Sequence, residues 1–280
     1  MKIGVRVHDF GKSDAKTLAL QAKNIGFDSV QLVLNKAIEG ETGLAGTLSK
    51  EKANEFYKAF ADQGIDIIML GAYFNPVHSD KNKVSDLVLK FKEHLKYEHD
   101  FHAGFVGSET GSFNDDKWTY NPLNRTEEAF QEVKRIFKDL ALTAEEYNAN
   151  MAIEGAYGHC MYEPKALYRL VNEINSKNVY YIVDIYNYLS IDNYMNHEKI
   201  FDECLELFKD RIVIYHIKDF VIEDGSLKQC CIGKGMMNFD YMLPKMKKLT
   251  PNACLVFEGS KPQDMEFSYK FIKSKLEGIK

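Results

Sequence analysis

The 280-residue sequence predicts an α/β chain folded as a closed (β/α)8 barrel, and three observations carry that prediction. Short apolar runs alternate with longer amphipathic segments from one end to the other. The runs are continuously apolar, as strands read when both faces of a parallel sheet are covered. Eight such runs can be counted, and eight strand–helix units in a chain of this length match a closed barrel. An open doubly wound sheet fits less well, because "RVHDFGKSD" follows the first run where G-x-G-x-x-G would stand.

The first strand is 3–7, inside "MKIGVRVHDF", which lacks the long apolar core and small-residue cleavage site of a signal peptide. The helical stretch "SDAKTLALQAKNIG" follows, with apolar residues at i, i+3, i+4 spacing and a stop at Gly26. Strand two is 29–34. After it comes a long connection rich in Gly and acidic residues, 35–47. The helix "SKEKANEFYKAFADQG" stops at Gly64 and leads into strand three, 65–70. Strand four is 105–107, and the second long connection, 112–125, carries the only tryptophan, Trp118. In a barrel both long connections lie on the catalytic face. There Trp118 and Tyr120 are expected either to wall a sugar ring or to pack at a contact in a homo-oligomer. After the helix "TEEAFQEVKRIFKDLALTAEEYN", strands five to eight are 151–154, 179–184, 212–217 and 254–258. No linker or low-complexity tract interrupts the series, so residues 1–280 are read as one domain.

Bulk composition narrows the function. A hydrophobic content of 45% with 12% aromatics supports a large core. Net charge is −5 with no Lys/Arg block, which argues against a nucleic-acid partner. No apolar run approaches the ~20 residues of a membrane span, so no membrane partner is expected. Five cysteines, with Cys230 and Cys231 adjacent and no C-x-x-C pair, suggest reduced thiols in a cytoplasm and no structural zinc site.

The chemistry sits at the strand ends. Strand five ends "MAIEG" at Glu154, strand six "YIVD" at Asp184, strand seven "IVIYHIKD" with His216, Lys218 and Asp219, and strand eight "CLVFEG" at Glu258. The steps between Glu154, Asp184, His216 and Glu258 are 30, 32 and 42 residues, each about one strand–helix unit. One aspartate at a strand end can be a helix cap or a turn residue. Four polar residues able to ligate, at consecutive strand ends, point into one small volume. Three carboxylates that close repel each other and are costly to desolvate unless a cation neutralises them. Oxygen ligands with one imidazole suit a single divalent ion such as Mn, Mg, Co or Zn.

"IEG", "VDIYNYLSIDNY", "YHIKDF" followed by "GKG", and "VFEG" resemble the sugar-phosphate isomerase/epimerase group of the xylose isomerase-like TIM-barrel family. The likeness covers the order and spacing of the second half and, more loosely, the first. It implies that Glu154, Asp184, His216 and Glu258 hold one divalent metal, with Glu154 and Glu258 doubling as acid/base groups on a small sugar or sugar phosphate. The implied reaction is isomerisation or epimerisation by proton abstraction beside a carbonyl, through an enediolate. The related inosose dehydratases would make dehydration the alternative. The ketose 3-epimerases place a histidine three residues after the ligand aspartate, where Asn187 stands here. They carry an arginine shortly after the ligand histidine, whereas this chain has Lys218.

Further substrate-binding candidates are Lys218, His8, Arg6, Glu109, Asn187 and Trp118. Lys218 lies two residues past His216, on the same side of the strand. His8 and Arg6 could meet substrate oxygen or phosphate, and Arg6 could equally be a buried ion pair. Glu109 ends strand four and either faces the site or caps the next segment. His159, five residues past Glu154, is read as a loop residue, with a supporting place behind the strand-end cluster as the other possibility. "CIGKG" (231–235) reads as a lead-in to the next helix, with a phosphate cradle as the other possibility. Two rivals remain. An endonuclease IV-like nuclease shares the barrel, but needs histidines after strands three, four and seven that "MLGAYF", "VGSETG" and "CCIGKGMMNFD" do not supply. A non-catalytic sugar-binding barrel is expected to have lost part of the ligand set.

Overall fold

The computed structural model describes residues 1–279. Its strands follow the predicted runs: β1 (Ile3–Arg6), β2 (Ser29–Leu32), β3 (Asp66–Gly71), β4 (Phe105–Glu109), β5 (Met151–Glu154), β6 (Val179–Asp184) and β7 (Ile212–Ile217). Two further strands, β8 (Asp219–Glu223) and β9 (Ser226–Cys230), pair with each other as an antiparallel hairpin outside the ring. The last strand, β10 (Cys254–Phe257), pairs in parallel with both β7 and β1 and closes the barrel. Strands β5, β6 and β7 have the limits read from the sequence, and the others differ by one or two residues, as element ends do.

Helices α1 (Ala15–Ile25), α2 (Leu34–Ala37), α3 (Lys50–Ala61), α4 (Lys81–Tyr97), α5 (Glu127–Glu146), α6 (Pro164–Ile174), α7 (His197–Phe208), α8 (Phe239–Leu249) and α9 (Pro262–Gly278) connect the strands. Helix α1 starts at Asp14, not at Ser13. The Asp14 carboxylate accepts from the amides of Lys16 and Thr17, while Ser13 bridges to Ile38. Ser49 and Thr126 cap α3 and α5. Gly26 ends α1 in the left-handed region at φ 112, a conformation that favours glycine.

The core has two parts. Outward-facing strand residues pack with the helices in one continuous cluster. Inside the ring Met69, Ala152, Ile182, Ile214, Cys254 and Val256 form a separate plug. Among the described residues no helix is long and apolar enough to cross a membrane. All five cysteines are free thiols.

The hairpin escaped the sequence reading, although its signal is present. Asp224 and Gly225 form the two-residue turn, both at positive φ (50 and 69), which is the Asp-Gly pattern of a tight hairpin. Asp219, read as a polar strand end, roots this hairpin. Its buried carboxylate accepts from the amides of Gly233 and Gly235 at 2.9 Å, from Met237 at 2.9 Å and from Phe220 at 2.8 Å. The phosphate-cradle option for "CIGKG" is therefore corrected: the protein's own carboxylate occupies those amides. A side chain at Gly235 would collide with Asp219 and the Phe220 carbonyl. We expect Asp219→Ala, which strands several buried donors, to lose about 3 kcal/mol of stability in denaturant unfolding. A loss under a few tenths would refute this account.

Candidate metal centre and cleft

The barrel's side-chain alternation brings the four strand-end ligands together. Ala152, Ile182, Ile214 and Val256 point into the plug, and Glu154, Asp184, His216 and Glu258 each follow two residues later on the same face. Register aligns them, with His216 beside Asp184 on one side and Val256 on the other. One ligand atom from each of the four residues lies within 4.8 Å of the others, and all four residues are buried.

Each carboxylate divides its oxygens in the same way. Glu154 Oε1 accepts from Asn187 Nδ2 at 2.6 Å, Asp184 Oδ1 from the Asn187 amide at 3.0 Å, and Glu258 Oε1 from Arg6 Nη1 at 2.8 Å. The remaining atoms, Glu154 Oε2, Asp184 Oδ2 and Glu258 Oε2, are buried without a well-formed hydrogen bond, as is His216 Nδ1. Buried polar atoms are seldom left this way. Four in one cluster of hard oxygens and one imidazole fit the donor set of a divalent cation.

His216 Nδ1 lies 2.7 Å from Glu258 Oε2 and 2.9 Å from Glu154 Oε2. Burial lowers the pKa of this imidazole, but Glu258 and Glu154 outweigh it and hold it up at about 10. The pocket thus demands positive charge at Nδ1, supplied by a proton or by a metal. The tautomer is set from behind. Gln31 Nε2 donates to the Tyr73 hydroxyl at 2.7 Å, which turns Gln31 Oε1 toward His216 Nε2 at 2.8 Å. Nε2 must then carry the hydrogen, leaving Nδ1 free to ligate in the neutral ring.

Burial pushes the Asp184 carboxyl up to about 6, with Lys218 opposing. Burial acts the same way on Glu258, but Lys218, His216 and Arg6 hold its carboxyl well below the usual range. Glu109, beside Glu154 in the sheet, is driven well above that range by burial and by the charges of Glu154 and Glu258.

The structure brings the other predicted residues to the same face with different attachments. Lys218 Nζ sits 2.8 Å from Asp184 Oδ2, 3.1 Å from Glu258 Oε1 and 3.0 Å from Asn187 Oδ1. Arg6 divides its guanidinium between Glu258 and Asp9. The polar atoms of Lys218, Arg6 and Asn187, expected to meet substrate, thus brace the carboxylates. His8, Glu109 and Trp118 do line the cleft, a hollow of about 350 Å³ that also includes Lys36 and Tyr73. Burial, Arg6 and Lys36 push the His8 imidazole down to about 3, so it is neutral. His159, read as a loop residue, is buried with its ring 5.5 Å from that of Trp118. The reading missed Gln31, Tyr73 and Asp9. Gln31 had a signal: an amide inside the buried strand "SVQL" needs a partner.

The family model for the xylose isomerase-like TIM barrel matches residues 19–275. The chain belongs to this family. No curated protein sequence matches this family member. Solved structures that resemble it include a D-tagatose 3-epimerase-like protein, with TM-score 0.77 and 19% identity over 100% of this chain and 98% of that one. An IOLI protein with a bound zinc atom superposes with TM-score 0.72 and 16% identity over 100% and 99% of the two chains. A xylose isomerase-like TIM barrel protein from Mycobacterium smegmatis, in complex with magnesium, gives 0.74 and 14% over 98% and 97%. At these identities the likeness is one of fold.

Gln31→Leu removes the acceptor that fixes the His216 tautomer. We expect it to weaken divalent-ion affinity ~10–100-fold, read by titrating chelator-treated protein with Mn²⁺ or Zn²⁺. Unchanged affinity would show that Gln31 does not orient the ligand.

Proposed function

We propose that this chain is a divalent-metal-dependent sugar isomerase or epimerase that removes the proton beside a carbonyl and returns it through an enediolate. The observation that carries this reading is the buried cluster of four inward-facing donor atoms within 4.8 Å of one another, two of which belong to glutamates able to exchange protons. A divalent ion held by Glu154, Asp184, His216 and Glu258 would stabilise negative charge on the oxygens of an α-hydroxy carbonyl and so acidify the C–H between them. The epimerases among the structural neighbours support the same class.

The protein's own groups divide the remaining work. Glu154 has only the neutral Asn187 amide on its second oxygen, so we assign it proton removal. Glu258 Oε1 is held by Arg6 and faces Lys218, which suits this carboxylate to steady charge and to take part in the proton's return. Asp184 serves only to hold the ion. Return of the proton to the neighbouring carbon isomerises, and return to the opposite face of the same carbon epimerises. One observation favours a second reading. Glu109 lies in the cleft with burial and the charges of Glu154 and Glu258 pushing its carboxyl well above the usual range, so it could donate to a departing hydroxide and complete a dehydration.

The test follows solvent deuterium entering the carbon α to the carbonyl across a panel of ketoses, aldoses and inososes, with metal in saturating excess. Glu154→Gln and Glu258→Gln are each expected to slow exchange ~10²–10⁴-fold, because Gln keeps the volume but accepts no proton at neutral pH. Asp184→Asn should be rescued in part by excess metal. Exchange at the wild-type rate in both glutamate variants would sink the two-carboxylate mechanism. Loss of water from the substrate, abolished by Glu109→Gln, would select the dehydratase.

A further inference from the structure

The cleft does not end at Trp118. On the far side of Trp118 and Glu109 lies a second hollow of about 530 Å³, larger than the 350 Å³ on the near side, and both residues line both spaces. The two lobes meet beside the metal ligands. Glu258 opens into the near lobe, while Asn187, bonded to Glu154, opens into the far one.

Their linings differ in kind. The near lobe is charged on nearly every side, with Arg6, Lys36 and Lys83 set against Asp116, Glu109 and Glu258. The far lobe has no charged side chain except Glu109 at the junction. Its walls are Trp118, Tyr157 and Tyr186, with Leu189, Ile191 and Leu227 between them and Ser190 and Thr119 at the rim. Aromatic faces take the C–H face of a sugar ring, and amides and hydroxyls take its oxygens. His159, 5% exposed, lines this lobe and keeps a buried Nδ1 without a hydrogen-bond partner.

We propose that the far lobe binds a second sugar ring, so that the substrate is a glycoside or disaccharide whose reacting ring sits over the metal ligands in the near lobe. The size of the lobes argues for this, since either is within the range of a small-molecule pocket and one hexose leaves the other empty. Charge argues the same way, because an uncharged lobe gives a phosphate or carboxylate nothing to pair with. The identity of the reacting ring rests on the isomerase reading above, but occupancy of the far lobe does not.

Trp118 is the only tryptophan in the chain, so its fluorescence reports on this lobe directly. Metal-loaded protein would be titrated with cellobiose, maltose and lactose and, separately, with glucose and galactose. At least one disaccharide is expected to bind tenfold or more tightly than its constituent monosaccharides, with a change in Trp118 emission. Ile191→Arg on the loop after β6 and Leu227→Ser on the hairpin should each narrow that gap. Ile191 is 42% exposed, so its replacement leaves the core intact. If no disaccharide outbinds its own units, or if neither variant narrows the gap, the far lobe is not a sugar subsite. Tight disaccharide binding without proton exchange would leave the lobe standing and overturn the isomerase reading. Exchange on free monosaccharides with no disaccharide preference would do the reverse.

Discussion

Three carboxylates and an imidazole packed within a few ångströms at the mouth of a sealed barrel are an electrostatic liability, and the surrounding cleft is arranged around that liability. Burial alone opposes ionisation of each carboxylate, and their mutual repulsion compounds it. The protein answers with fixed partners on one oxygen of each: Asn187 for Glu154 and Asp184, Arg6 for Glu258. Lys218 adds one cation among them. Of the oxygens left over, Glu154 Oε2 and Glu258 Oε2 turn toward His216 Nδ1 at 2.9 and 2.7 Å, and Asp184 Oδ2 lies against Lys218 Nζ. Residues that look from sequence like substrate hooks are committed first to keeping this cluster charged and in place.

The plug beneath the cluster makes the arrangement rigid. Ile182, Ile214 and Val256 are fully buried, and each fixes the direction of the ligand two residues on. A shift of register by one residue would turn His216 or Asp184 out toward the helices and bury Ile217 or Val183 in their place. The strands that carry the ligands are therefore specified by packing below and by charge above, and the two demands agree.

The barrel and the four-residue cluster at its mouth were legible because both are written in local patterns. Continuous apolar runs gave the strands, and polar residues at four consecutive strand ends gave the cluster. What could not be read was non-local. Nothing near Gln31 says that His216, 185 residues away, needs an acceptor, nor that Tyr73 will orient its amide. Asp9 and Glu258 share Arg6 only because barrel closure makes β1 and β10 neighbours. Ser13 and Asp14 are both good caps, and the bridge from Ser13 to Ile38 decided between them. "CIGKG" was ambiguous because backbone amides accept any anion, and Asp219 reached them first.

The β8–β9 hairpin is tied at its root and free at its tip. Asp219 holds one end to the 233–237 loop, and the Gln229 amide donates to the Glu258 carbonyl at 2.6 Å at the other. Glu223 to Ser226 meet nothing comparable, and no atom lies within reach of a side chain added at Gly225. Constraint and freedom are thereby separated within the twelve residues of a single hairpin. Mutations can lengthen, shorten or recolour the tip while the root keeps the ligand sphere in register. Such a hairpin gives evolution, or an engineer, a place to reshape the edge of the cleft without reopening the cluster beneath it.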